Sequence, residues 1–341
     1  MLTRPSLQEI LKWREHVDQR ITELFFDRSS EEVFQRFASL VLLGINHEQQ
    51  HQELLLTDIQ HLFSLNPLYP TFVDGLLRIV RKQMDHDACS RDMKFSWFAS
   101  SIYSIGSNGD IHFSFDNEGP EHTVYLDEFA IGCRLVTNRE FMEFIEDGGY
   151  RDPLLWLSDG WAYVGREGWE APLYWTPRDS EWYSFTLRGL LPLNSDAPVC
   201  YVSYYEADAY AKWCGLRLPR EEEWEVAARE LPLSGTFLES TVFEPLPIVS
   251  LSPSPREWPI LQQMFGDAWE WTMSPYVPYP GFRPVKGPLG EYNGKFMCNQ
   301  QVLRGGSCFT PASHIRLTYR NFFSPSARWQ CAGIRLAKDP D

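Results

Sequence analysis

The segment HEQQHQE at residues 47–53 combines residue types at a spacing that could do chemistry. On a helix, residues i and i+4 stand one turn apart, about 40° around the axis, so His47 and His51 can share one metal ion. The generic reading of H-E-x-x-H is a zinc protease with Glu48 as general base. The other reading is a pair of core histidines satisfied by hydrogen bonds. Both residues fall on the helix stripe expected to be buried, with Gln50 beside them. Burying two unpaired polar rings is costly, which favours a metal. Two ligands do not complete a site. His61 sits ten residues beyond His51, about 80° off that face, and no zincin-type third ligand follows, so the protease reading is weak.

The elements that must hold these residues are helices. Ser6 to Phe26 reads as one, with a Ser6/Glu9 capping box after Pro5 and an apolar stripe of Ile10, Trp13, Val17, Ile21 and Leu24. His16 lies beside this stripe and reads as a surface residue. A longer helix is expected from about Ser30 to Phe63, opened by Ser29/Glu32 and closed by Asn66-Pro67. Its expected inner stripe is Val33, Phe37, Leu40, Gly44, His47, His51, Leu54, Asp58 and Leu62. Residues 66–95 read as a linker with one short helix at Leu76–Lys82. From Phe95 the texture changes to short aromatic or alternating runs separated by Gly, Pro, Asn and Asp. Helices are expected at Thr137–Asp147, Tyr204–Gly215 and Arg220–Arg229, among short strands and long ordered loops, an α+β arrangement. Residues 245–259, rich in Pro and Ser, read as a surface excursion. No internal repeat is evident.

Composition narrows the function classes. The chain has 341 residues, 43% hydrophobic and 15% aromatic with 13 Trp, enough for a real core with loops pinned by rings. Its formal net charge of −15 and lack of a basic run argue against nucleic acid and anionic lipid as partners. No apolar stretch reaches the ~18–20 residues that span a bilayer, and MLTRPSLQE turns polar at once, unlike a secretory signal. The cysteines (Cys89, Cys133, Cys200, Cys214, Cys298, Cys308 and Cys331) are odd in number, widely spaced and free of CxxC. They read as reduced, mostly buried thiols of a cytoplasmic protein.

Several segments resemble the formylglycine-generating-enzyme (sulfatase-modifying factor) fold, a relative of the C-type lectin fold. They are DNEGPEHTVYLDEFAIGCRLVTNREF (116–141), PVCYVSYYEADAYAKWCGLRLPREEEWEVAAR (198–229), FGDAWEWT (265–272) and LRGGSCFTPASHIRLTYRNFFSPSARWQCAGIRLA (303–337). Pro219 and the acidic residues after it suit a helix start, and Arg304-Gly305-Gly306 allows close backbone approach. Formylglycine generators use a cysteine pair near this Gly-Gly-Ser. Here Cys308 has no partner at suitable spacing, since Ser313, His314 and Ile315 occupy that region, so sulfatase activation is not expected.

Joined to HEQQHQELLLTDIQHLF, the whole chain resembles the ergothioneine-biosynthesis sulfoxide synthases, or hercynine oxygenases. EDGGYRDPLLWLSDGWA, EAPLYW and YNGKFMCNQQVLRGGS strengthen the match. The resemblance implies a DinB-like helical domain at 1–90, carrying part of an iron site, and a sulfatase-modifying-factor domain at 95–341. It implies three histidines on iron(II), Fe(2+), with O2 used to join a thiol to the imidazole carbon of hercynine (trimethylated histidine) and to oxidise the sulfur to a sulfoxide. Neutral imidazoles suit iron(II). Carried over by position, His47 and His51 match two metal ligands and Gln50 a hercynine-contacting glutamine. Asn321 and Phe322 match the Asn-aromatic pair at the trimethylammonium end, where a cation–π contact is worth ~1–2 kcal/mol when desolvated. Phe322 and Phe323 are equally readable as core packing. Members that take γ-glutamylcysteine carry an acid and an arginine where this chain has Phe323 and Ala327. The pattern therefore resembles the type that takes free cysteine, although Arg328 stands one position off. The family's first iron-ligating histidine, in an H-x-x-H-T context, has no match here, nor do the proton-transfer tyrosines and arginines expected beside it. Two explanations compete, a shortened form of an active enzyme, which is preferred, and a shortened protein that has lost the reaction. This 341-residue chain is then expected to bind iron weakly, to turn over poorly or not at all, and to expose bundle core over residues 1–90. Three readings stay open beside it: a histidine-using synthase of the ovothiol type, a selenium-using relative, and a non-catalytic hercynine- or betaine-binding module. Oligomeric state is not legible.

Overall fold

Capping chemistry sets where the helices begin. Ser6 and Glu9 exchange hydrogen bonds of 2.8–3.3 Å, opening α1 (Leu7–Phe26). Thr137/Glu140 and Ser203/Glu206 do the same for α3 (Asn138–Glu146) and α5 (Tyr204–Trp213). The computed structural model describes residues 4–26, 31–73, 92–109, 113–248, 261–284, 290 and 292–340. The expected Ser29/Glu32 cap, the 76–82 helix and most of the 245–259 excursion lie outside the described residues. α2 is one continuous helix, Glu31–Ser64. By compactness the chain divides into Met1–Gln49 and Gln50–Asp341, so the second half of α2 belongs with the mixed domain. α1 carries its apolar stripe with Ile10, Trp13, Ile21 and Leu24 exposed.

The mixed domain is α+β, as its texture implies. Its strands are β1 (Phe95–Phe98), β2 (Ser101–Ile105), β3 (His122–Leu126), β4 (Phe129–Gly132), β5 (Trp175–Arg178), β6 (Glu181–Thr186), β7 (Gly189–Pro192), β8 (Trp269–Pro275), β9 (Gln301–Arg304), β10 (Asn321–Phe323), β11 (Ala332–Gly333) and β12 (Ala337–Lys338). The remaining helices are α4 (Ser158–Glu167), which sequence reading missed, and α6 (Glu221–Ala228). Among the described residues the strands form four small sheets, ordered β1-β4-β12, β10-β9-β8-β11, β2-β3 and β5-β6-β7. The second sheet matters most for the site. β9 runs antiparallel to both β8 and β10, setting Asn321 opposite Leu303 and Phe322 opposite Val302.

Burial explains why so short a set of strands holds. Trp224, Trp269, Trp271, Phe265 and Phe309 are almost wholly buried, and so are Arg304 and Arg335. Each buried cation is met by a carboxylate. Arg335 makes a two-pronged pair with Glu270 at 2.7 Å, and Arg320 one with Glu221 at 2.8 Å. Arg304 pairs with Glu225 and Arg316 with Glu118. Paired in this way, a charge can be buried that would otherwise be prohibitive.

Candidate functional site

The second half of α2 turns an unusual face inward. Residues Gln50, Glu53, Thr57 and Gln60 recur at 3–4 residue spacing, and all are buried or partly buried. Such a polar stripe is stable only where every group finds a partner. Glu53 accepts from Trp269 Nε1 at 2.7 Å, Ser307 Oγ at 2.8 Å and Thr310 Oγ1 at 2.8 Å. Burial raises its pKa against the pull of those three donors. Gln60 accepts from the Tyr201 hydroxyl at 3.2 Å. Apolar flanks Leu56, Ile59 and Phe63 pack against the core around Phe185, Leu187 and Phe309.

Gln50 joins this stripe to a cavity. Its amide nitrogen donates to the Tyr319 hydroxyl at 2.7 Å, and its oxygen accepts from the Tyr292 hydroxyl. Tyr319 in turn lies 3.0 Å from His314 Nε2. Burial pushes the Tyr292 phenol up to about 12, so both partners of Gln50 are neutral hydroxyls at ordinary pH. The cavity is lined by Gln50, Glu53, Leu54 and Thr57 of α2, by Asn321, Phe322 and Phe323 of β10, and by rings that include Phe115, Trp269, Tyr292 and Trp329. β10 fixes its residues from below. Phe322 lies flat on Tyr276, 4.0 Å between centroids at 9°, and Phe323 meets Trp329 edge-on at 5.2 Å. Asn321 Oδ1 takes the Phe322 backbone N–H at 2.9 Å. Asn117, also in the wall, donates to the Tyr276 hydroxyl at 2.9 Å and to the Arg320 carbonyl at 3.2 Å.

The structure thus brings Gln50 together with Asn321, Phe322 and Phe323, more than 250 residues on in sequence. It does not bury the two histidines. His47 and His51 are both exposed on α2, so the premise that they occupy the buried stripe is wrong. The run Leu54-Leu55-Leu56 places leucines on several azimuths, and the face that packs is the one whose polar groups find partners. His51 does not line the cavity. Among the described residues no group of three or more His, Cys, Asp or Glu side chains is placed to hold a metal ion. Sequence reasoning missed Glu53, Asn117, Tyr292, Tyr319 and His314. Glu53 alone had a signal, an acid at i+3 from Gln50 on a helix face.

Residues 102–340 match the model of the sulfatase-modifying factor enzyme 1-like domain. The chain belongs to this sulfatase-modifying-factor family. It is 38% identical over 250 residues to "Hercynine oxygenase" of Mycolicibacterium thermoresistibile, covering 68% of this chain and 55% of that protein. It is 28% identical over 252 residues to "Ergothioneine biosynthesis protein 1" of Schizosaccharomyces pombe, covering 70% of this chain and 30% of that one. The chain spans about half the length of the hercynine oxygenases it matches. Among solved structures, PvdO from Pseudomonas aeruginosa superposes with a TM-score of 0.51 at 20% identity, over 72% of this chain and 94% of that one, which shows the shared fold.

Against the family's pattern three details stand out. The Gly-Gly of the Arg-Gly-Gly-Ser segment is required by backbone geometry: Gly305 has φ +97°, and a Cβ there would stand 2.6 Å from the Met264 carbonyl oxygen. Cys308, which seemed to lack a partner, has one. Cys331 lies 23 residues on, beyond any local motif, with sulfurs 3.9 Å apart, and both are buried free thiols. Arg328 is committed elsewhere. It pairs with Glu206 at 2.8 Å and lies over the Trp169 ring at 4.4 Å, and it does not line the cavity.

Proposed function

We propose that this chain is a sulfoxide synthase of the hercynine-oxygenase type. It would join cysteine to the imidazole carbon of hercynine with O2, as in ergothioneine biosynthesis. The overall change balances as C–H plus S–H plus O2 giving C–S(=O) plus water. The observation that carries the reading is the cavity. It unites an amide, Gln50, suited to an imidazole edge with an aromatic wall at Asn321, Phe322 and Phe323. Aromatic faces attract a quaternary ammonium that can donate no N–H bond. Glu53, held by three neutral donors, puts a carboxyl group in the same wall. The identity to hercynine oxygenases supports both the substrate and the oxygen chemistry.

The reading calls for iron(II), which would supply oxygen activation. The donors fit in kind, since His47 and His51 are imidazoles one turn apart. They fall short in number, because no third ligand joins them among the described residues. What these residues can do is bind and orient: Gln50 at the ring, β10 at the ammonium. With Phe323 and Ala327 at the positions noted above and Arg328 paired to Glu206, free cysteine is the thiol of choice over γ-glutamylcysteine. The described cysteines are all free, which suits a cytoplasmic setting, and no described helix is long and apolar enough to cross a membrane.

The test is aerobic incubation of the chain and, in parallel, of a version extended to the length of its hercynine-oxygenase relatives, with excess iron(II), hercynine and cysteine, read by mass spectrometry. Hercynyl-cysteine sulfoxide is expected. Replacing hercynine by histidine, or cysteine by γ-glutamylcysteine or a selenosugar, separates the ovothiol-type and selenium-using alternatives. Calorimetric hercynine binding without O2 uptake at any iron level, in the extended version as well, would make the cavity a betaine-binding module instead.

A further inference from the structure

The amide of Gln50 could present either edge to a ligand, and something must decide which. Its two hydroxyl partners cannot, because each can donate or accept. The decision lies one bond further out. Tyr319 receives the Gln50 N–H on its oxygen, so its own proton must go elsewhere, and His314 Nε2 stands 3.0 Å away. His314 is 1% exposed, on the short turn Ala312–His314. Burial, and the Arg316 guanidinium next, lower its pKa to about 3, so the ring is neutral with one bare nitrogen. Its Nδ1 has no partner among the described residues. That nitrogen is unpaired in either tautomer, at a cost in both, so the contact at Nε2 decides which nitrogen carries the proton.

We propose that His314 is a positioning residue: by accepting the Tyr319 hydroxyl proton at Nε2, it fixes which edge of the Gln50 amide faces each neighbour and hence the imidazole ring of the substrate. The chain of donors then runs one way, from Tyr292 to the Gln50 oxygen, from the Gln50 nitrogen to Tyr319, and from Tyr319 to His314. Were the proton on Nε2, Tyr319 would have to give its own proton to Gln50, and the amide would turn over. The inference rests on the proposed function only for the identity of the ligand.

Two experiments decide it. Nitrogen-15 spectra of the histidine-labelled chain, assigned with His314→Gln, should show the His314 proton on Nδ1 at neutral pH without any ligand. A proton on Nε2 overturns the proposal. Calorimetry with hercynine should show His314→Phe and Tyr319→Phe each weakening binding by roughly 3–10-fold, the value of one hydrogen bond. The double variant should be no worse than either single one, and His314→Gln, which can offer an amide oxygen, should recover most of the loss. Additive losses, or no rescue by glutamine, would reduce His314 to a packing residue. If the wild-type chain binds no hercynine, the functional reading fails while the nitrogen spectrum still decides the relay.

Discussion

Phe322 and His314 show what single residues contribute. Phe322 is held flat against Tyr276, so a shape-conserving change removes its π-face without emptying the wall. Phe322→Leu should cut hercynine affinity by about 3–30-fold, as a desolvated cation–π contact of ~0.5–2 kcal/mol implies, and should leave histidine binding nearly unchanged. Equal losses for both ligands in calorimetry would place the trimethylammonium group elsewhere. His314 also couples folding to pH. Its folded pKa is depressed from 6.5 to about 3, so between those values only the unfolded chain takes up its proton. Its contribution is complete above about pH 6.5 and is lost as pH falls toward 3, by up to about 1.4 kcal/mol per unit. Asp267, raised to about 6 by burial, works the other way, since the folded chain gains its proton first. Denaturant midpoints at pH 7 and pH 5 should therefore drop less for His314→Gln than for the wild-type chain; parallel drops would show that His314 ionises freely in the fold.

Elements were legible to different depths. α1 and α2 were readable from capping boxes and apolar stripes, α3 and α5 from their helical patterning, and α6 from Pro219 and the acidic residues after it. α4 was missed because its N-cap, Leu157, makes no side-chain hydrogen bond. The existence of α2 was plain, but its inward face was not. Periodicity counts apolar side chains, whereas the packed face carries Gln50, Glu53 and Gln60, whose side-chain partners Tyr292, Tyr319, Trp269, Ser307, Thr310 and Tyr201 lie far along the chain, with Thr57 bonded to carbonyls of the helix itself. No window along α2 contains that information. The Arg304-Gly305-Gly306 turn was correctly read as needing glycine. Gly305→Ala should destabilise the chain by ~1–3 kcal/mol, from the positive φ and the Met264 carbonyl in the Cβ position. Thermal melts checking this would contradict the geometry if alanine were neutral.

For the molecule as a whole, the fold class followed from texture and shared segments, and the cavity residues Gln50, Asn321, Phe322 and Phe323 followed from resemblance alone. The ionic core was not legible, because nothing local marks Arg335 as the partner of Glu270. That pair is fully buried, with Trp224 Nε1 also donating to Glu270 at 2.7 Å. Glu270→Gln should cost ~3–5 kcal/mol by stranding the guanidinium, read as a lower denaturant midpoint. A change below 1 kcal/mol would mean the pair is not desolvated. The measurement that bears most directly on the cavity is calorimetry of the whole chain with hercynine and, separately, with histidine. Hercynine binding at least roughly tenfold tighter than histidine, about 1.4 kcal/mol, is the expected result. Equal affinity, or none for either, would contradict the assignment of this cavity to a trimethylated imidazole amino acid.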